Sequence, residues 1–156
     1  MPDAYTLALT WLAVRELSTE QLRTRLSRRD FLAEDIHDAL TRLTAQAYLD
    51  DARVARAAAR LEAAVRHRGR HRVLQRVRKL GISGDVARSA VDEVFEQVDE
   101  GALLDAALER RLRGQTSDPK DRRATARLVR GLVAQGFSPD AIFARLRARG
   151  RMAPED

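Results

Sequence analysis

Apolar residues along this chain recur in steps of four around three apolar corners. Phe31, Ile82 and Phe137 mark the corners, 51 and 55 residues apart (82 − 31 and 137 − 82). Nine and five residues before them stand Leu22 and Leu26, Val73 and Val77, Leu128 and Leu132; five and nine after stand Ile36 and Leu40, Ala87 and Val91, Ile142 and Leu146. Steps of four keep side chains on one stripe of an α-helix. Each copy therefore reads as two amphipathic helices meeting at a corner, and a unit of that size cannot bury its apolar face alone. The corner residues agree. Phe137-Ser138-Pro139 offers an N-cap followed by proline at the first helical position, with Phe137 and Ile142 placed as a hydrophobic staple. Ile82-Ser83 repeats the arrangement with Asp85 in the first turn, and Gly81 and Gly136 precede their corners as left-handed helix ends. The first corner departs, with Asp30 for the glycine and Leu32 for the serine.

Extending the pattern gives helices over about 4–15, 18–28, 34–45, 51–66, 70–80, 84–97, 102–112, 119–134 and 139–149. Ser18 to Gln21 forms a capping box, Leu17 and Leu22 add a staple, and Gly69 breaks the chain after the fourth helix. Val54, Ala58, Leu61 and Val65 are the expected buried stripe of that helix, and Asp118-Pro119 the expected start of the eighth, after a Gly114-Gln115-Thr116-Ser117 linker. Trp11 and Phe31 fall on apolar stripes and are expected in the core. No stretch alternates as a strand would. The reading is an all-α fold: three tandem three-helix repeats over residues 1–49, 50–98 and 99–150, forming an elongated, curved helical array.

Composition narrows the function. With no cysteine, disulfides and thiolate sites are excluded. Met1-Pro2-Asp3 opens straight into a helical pattern with neither a basic nor an apolar leader region, and no apolar run is long enough for a membrane span, so a cytoplasmic protein is expected. His37, His67 and His71 form no metal-ligand spacing, and no phosphate loop or nucleophile elbow is present. The expectation is a protein without catalytic residues, metal or cofactor.

Charge is the exception to this blandness. The net charge is +6, from 29 Lys+Arg against 23 Asp+Glu. The stretch from Arg66 to Lys79 contains Arg66, Arg68, Arg70, Arg72, Arg76, Arg78 and Lys79 and no acid. Without these seven, 22 bases (29 − 7) face 23 acids, so the whole positive balance lies in this stretch. On a helical wheel Val73, Val77 and Leu80 share one stripe, while Arg72, Arg76 and Lys79 cluster opposite, near Gln75. Exposed helices ordinarily mix both signs, and a cationic face of this kind suits phosphates or an acidic protein groove. Aromatic residues make up only 4% of the chain and none interrupts the basic stretch, which favours contact with the nucleic-acid backbone over base stacking. A second basic series, Arg145, Arg147, Arg149 and Arg151, reads as favourable pairing with a helix end.

Tyr48-Leu49-Asp50-Asp51, a following helix, a Gly/Arg-rich helix start and Arg78-Lys79-Leu80-Gly81-Ile82 together resemble the RecX family of recombination regulators. The resemblance runs from about residue 4 to 149. It departs at Arg29-Asp30-Phe31, where a Lys-Gly-aromatic sequence is common, and at Leu80, where a lysine is usual. What the resemblance implies is an inhibitor of the RecA recombinase that lies in the groove of the RecA–DNA filament; the chain is expected to act as a monomer. It would restrain ATP hydrolysis, strand exchange and co-protease activity, with the 66–79 segment facing acidic filament surface or bound DNA without sequence preference. Two other classes stay open: a free-standing DNA-binding regulator using a helix–turn–helix-like pair, and a structural adaptor without a nucleic-acid role.

Overall fold

The structure is a computed structural model and describes residues 1–115 and 118–152. Among the described residues the ordered elements are helical: α1 (Ala4–Val14), α2 (Thr19–Ser27), α3 (Ala33–Ala45), α4 (Asp51–Arg60), α5 (Arg70–Arg78), α6 (Gly84–Phe95), α7 (Glu100–Leu112), α8 (Arg122–Gln135) and α9 (Pro139–Ala148). Their packing follows chain order. α1 to α3 enclose one apolar cluster, α4 to α6 a second and α7 to α9 a third. Leu103 of α7 touches both the second and the third cluster.

The four-residue stripes account for these cores. All twelve positions flanking the corners are buried, as are Ile82 and Phe137. Phe31 and Trp11 are only half-buried, packed against the edge of the first cluster. The caps follow the sequence. Ser18 closes a capping box with Gln21, and Ser83 and Ser138 accept from the backbone N–H of Val86 and Ala141. Gly81 and Gly136 adopt φ of +80° and +111°, and Asp30 holds the same left-handed conformation at +61°. Leu32, before α3, makes no side-chain cap.

The fourth helix departs from expectation. After Arg60 it passes into a π-helical turn over Leu61–Val65. Leu61 and Val65, expected in the core, are 46% and 65% exposed, and Ala55, Ala59 and Ala63 are buried instead. The cause is packing. Alanines at i, i+4 and i+8 let α4 lie close against α6, whose Ala87, Ala90, Val91 and Val94 share the cluster. A wider turn carries one more residue, so the face presented to the core shifts beyond Arg60. This places Glu62, a charged residue, only 4% exposed.

The start of α8 also differs. Asp121 accepts from the N–H groups of Arg123 and Ala124, so the helix begins at Arg122 and not at Pro119. Asp118 instead caps a turn through the N–H of Lys120 at 2.9 Å. Of the expected linker, Thr116 and Ser117 lie outside the described residues.

Candidate functional site

The basic segment occupies the end of the π turn, the Gly69 bend and α5. It is not a single free face. Glu62 gathers three of its cations: Nη1 of Arg66 donates to Oε1 at 2.8 Å, Nε of Arg68 lies 3.1 Å from Oε2, and Nε of Arg76 lies 3.5 Å from Oε1. A buried carboxylate ringed by guanidinium groups satisfies the rule that buried charges are paired. Arg70 is held as firmly. Its backbone N–H donates to Glu100 at 3.0 Å, its guanidinium pairs with Asp92, and it lies 5.1 Å from the centroid of the Phe95 ring. Arg72 is half-buried, with its Cβ pressed towards Gly136. Arg78 and Lys79 remain exposed, with no acid within ion-pair distance among the described residues.

The cationic outer face expected of Arg72, Arg76 and Lys79 is therefore divided among three environments. Arg76 turns to Glu62, Arg72 enters a junction between helical units, and Lys79 faces the first unit. There it lines a cleft with Arg15, Arg25 and Arg28. These three arginines lie far upstream, and a reading confined to contiguous charge overlooks them. The signal that could have found them is the stripe Gln21, Thr24, Arg25, Arg28 on α2, which carries no acid. Arg145 and Arg149 sit at the C-terminal end of α9, as expected, and also reach across to α7: Arg145 to Asp105 at 2.8 Å and Arg149 to Glu109 at 3.8 Å.

Two junctions join the units, and they use the same construction. At the first, Ser18, the N-cap of α2, donates its hydroxyl to the carbonyl of Leu80, the residue before Gly81. At the second, Gly69, the N-cap of α5, donates its N–H to the carbonyl of Gln135 at 3.0 Å, the residue before Gly136. The corner of each later unit thus sits on the start of the middle helix of the one before it. A Cβ on Gly69 would lie 2.5 Å from the carbonyl carbon of Gly136, so two bare backbones meet there. Asp51 reinforces the first junction by accepting from the N–H and hydroxyl of Thr19 at 2.8 and 3.0 Å.

The Tyr48–Asp51 stretch is thereby explained in large part. Leu49 plugs the first core, Asp50 caps α4 through the N–H of Arg53 at 3.1 Å, and Asp51 ties α4 to α2. Tyr48 stays 52% exposed. In the third unit a groove of about 670 Å³ between α8 and α9 has Ala126, Val129, Phe143 and Met152 on its floor and Lys120, Arg122, Arg130 and Arg151 around it. Among the described residues no three metal-binding side chains cluster, and no helix is long and apolar enough to cross a membrane.

Known proteins with this pattern are found along almost the whole chain. A family model described as the first three-helix domain of RecX matches residues 4–43. The regulatory protein RecX of Syntrophotalea carbinolica is 31% identical over 144 residues, covering 90% of this chain and 92% of its own. That of Trichlorobacter lovleyi is 32% identical over 143 residues, covering 90% and 91%. Among solved structures, RecX from Lactobacillus salivarius superposes with a TM-score of 0.83 at 17% identity over 96% of both chains. A second crystal structure of regulatory protein RecX gives 0.75 at 24% identity, covering 93% of this chain and 70% of the other. These two show the fold.

Proposed function

Because this chain belongs to the RecX family of regulatory proteins, we propose that it binds the RecA–DNA filament and restrains RecA's ATP hydrolysis, strand exchange and co-protease activity. The observation that carries this reading is the match to regulatory RecX proteins across nine-tenths of both chains. It acts by occupying the filament as a monomer in the cytoplasm, without chemistry of its own. Residues 1–49, 50–98 and 99–150 serve as three repeats, and stacking of such units yields a long surface able to reach more than one filament protomer. Within the basic segment, Arg78 and Lys79 make first contact with DNA or acidic filament surface, while Arg66, Arg68 and Arg76 reach it only by leaving Glu62.

The test is DNA-dependent ATP hydrolysis by RecA with increasing amounts of this protein. Hydrolysis falls as the protein approaches stoichiometry with the filament. Unchanged hydrolysis at equimolar protein rejects the proposal. A charge reversal at Arg72, Arg76 and Lys79 that inhibits fully at moderate salt removes the basic segment from it.

A further inference from the structure

We propose that the cleft between the first two helical units is a nucleic-acid backbone site, with Arg15, Arg25, Arg28 and Lys79 as its phosphate ligands. The cleft holds about 280 Å³. Its cations come from three separate elements: Arg15 ends α1, Arg25 and Arg28 lie on α2, and Lys79 ends α5. Arg15, Arg28 and Lys79 are exposed, and Arg25 is half-buried with its guanidinium 5.8 Å from the Trp11 ring centroid. The one acid lining the cleft among the described residues, Glu20, is taken up by Arg23.

Helix dipoles explain each cation singly, since a base near a helix C-terminus is favourable. They do not explain why four of them converge. Like charges gathered around one cleft repel, and with the local acid engaged elsewhere an anion from outside is what relieves that repulsion.

The geometry selects the kind of anion. Gln21, Thr24, Arg25 and Arg28 form one stripe on α2, spanning about 10 Å at 1.5 Å per residue. Successive phosphates of a strand lie farther apart through space than the axial rise of about 3.4 Å in a duplex, so the stripe reaches about two of them. Guanidinium forks, an amide and a hydroxyl are the side chains that contact phosphate oxygens. An acidic protein partner typically adds buried aromatic or apolar anchors to its charge contacts. The cleft wall carries only half-buried Leu80 for that purpose. The ligand class is therefore a phosphodiester chain, read without regard to sequence.

The site is tested apart from the filament reading, by binding of a fluorescent single-stranded 30-mer to the full chain without RecA across a salt series. Each lost phosphate contact lowers the slope of log K against log salt by about 0.7 for single strands. The variant R15A/R25A/R28A/K79A is expected to lose two to three units of slope and to bind about tenfold or more weakly at low salt. The control R122A/R123A/R127A/R130A removes the same charge from α8 and keeps the wild-type slope. Equal slopes for wild type and cleft variant overturn the proposal, as does an equal loss in the control, which would make the effect one of net charge. Loss of RecA inhibition with DNA binding and slope intact assigns the cleft to a protein surface and also overturns it. Should the quadruple variant lose its helical circular dichroism, R28A/K79A replaces it, with an expected loss of about 1.4 units.

Discussion

Glu62 is the most consequential single side chain in the middle of this protein, and Glu62→Gln isolates its charge while keeping its shape. The wild-type carboxylate is 4% exposed and meets Arg66 at 2.8 Å, Arg68 at 3.1 Å and Arg76 at 3.5 Å. A hydrogen bond to a charged group contributes about 1.5–3 kcal/mol. The two longer contacts add less, because all three guanidinium groups are about a third or more exposed and screened by water. Against this, removing the charge also removes the cost of keeping a carboxylate out of water. The net loss for Glu62→Gln is about 2 kcal/mol, a fall of about 1 M in the urea midpoint for a chain of this size. Arg66→Ala alone costs under about 1 kcal/mol, since two partners remain and the lost group is solvated. Removing Arg66, Arg68 and Arg76 together strands the buried carboxylate and costs about 3–5 kcal/mol. Urea titrations followed by circular dichroism give all three values. Equal losses for Glu62→Gln and Arg66→Ala would refute the view that one carboxylate organises three cations. The same substitution frees up to three guanidinium groups, so Glu62→Gln should steepen the salt dependence of DNA binding by up to about 2 units. An unchanged slope at reduced stability would show that these arginines do not face nucleic acid even when released.

Ser18→Ala removes both a helix cap and the only donor found for the Leu80 carbonyl among the described residues; the expected loss is about 2–3 kcal/mol in urea unfolding, and a loss below about 1 would mean the junction does not depend on it. Alanine at the three corners should rank Gly136 above Gly81 above Asp30. At Gly136 a Cβ meets the backbone of Gly69 and Arg72 at 2.6 Å, at Gly81 it meets Cβ and Cγ of Glu20 at 2.6 and 2.7 Å with no backbone atom closer than 4.0 Å, and Asp30 is exposed; thermal midpoints giving equal losses would place the whole cost in the left-handed backbone, about 1–2 kcal/mol each. Tyr48→Ala should change stability by less than about 0.5 kcal/mol in the same assay, leaving any loss of RecA inhibition to be read as a lost contact. Asp3 caps α1 by accepting from the Thr6 N–H, which holds its carboxyl below the usual 3.8. A carboxyl lowered in the folded state stabilises at pH above its unfolded value and loses that contribution as pH falls through the folded one. NMR titration of the Asp3 carboxyl should therefore show a midpoint under 3.8, with α1 amides losing protection only in more acid solution; a midpoint at or above that value contradicts the cap.

The regular part of this fold was legible because it rests on local physics. Steps of four, capping serines and left-handed corner glycines are each decided within one helical turn, and those positions are buried, capped or left-handed as their residues require. What escaped is non-local. The bulky Leu61 and Val65 outweigh Ala55, Ala59 and Ala63 in any count of hydrophobicity, yet the alanines are buried because α6 needs a thin neighbour. The stretch from Arg66 to Lys79 looks free of acids only along the chain. Glu62 precedes Arg66 by one helical turn, and Asp92 and Glu100 reach Arg70 from 22 and 30 residues further on. Charge balance computed by segment thus identified the richest concentration of cations without distinguishing those locked in structural pairs from those facing solvent.

The irregular first corner follows from the construction of the junctions. Gly81 and Gly136 each have two demands on them: a left-handed backbone, and close approach to the start of a helix in the unit before. Only the second demand excludes every side chain, because aspartate tolerates the left-handed region through its short polar group. Asp30 keeps φ at +61° but is exposed, and among the described residues its side chain makes no hydrogen bond or ion pair. Asp30 is exposed and no helix start approaches it among the described residues, so that corner does not require glycine. The same reasoning bears on Leu32, 62% exposed where the other corners carry a capping serine. The loss of one cap, about 1 kcal/mol, is tolerable in a unit whose core already contains six fully buried or nearly buried leucines: Leu17, Leu22, Leu26, Leu40, Leu43 and Leu49. Drift in the first copy therefore marks a corner on which no helix start bears among the described residues, whereas the opposite side of that unit, where Ser18 meets the Leu80 carbonyl, keeps both its cap and its close contact.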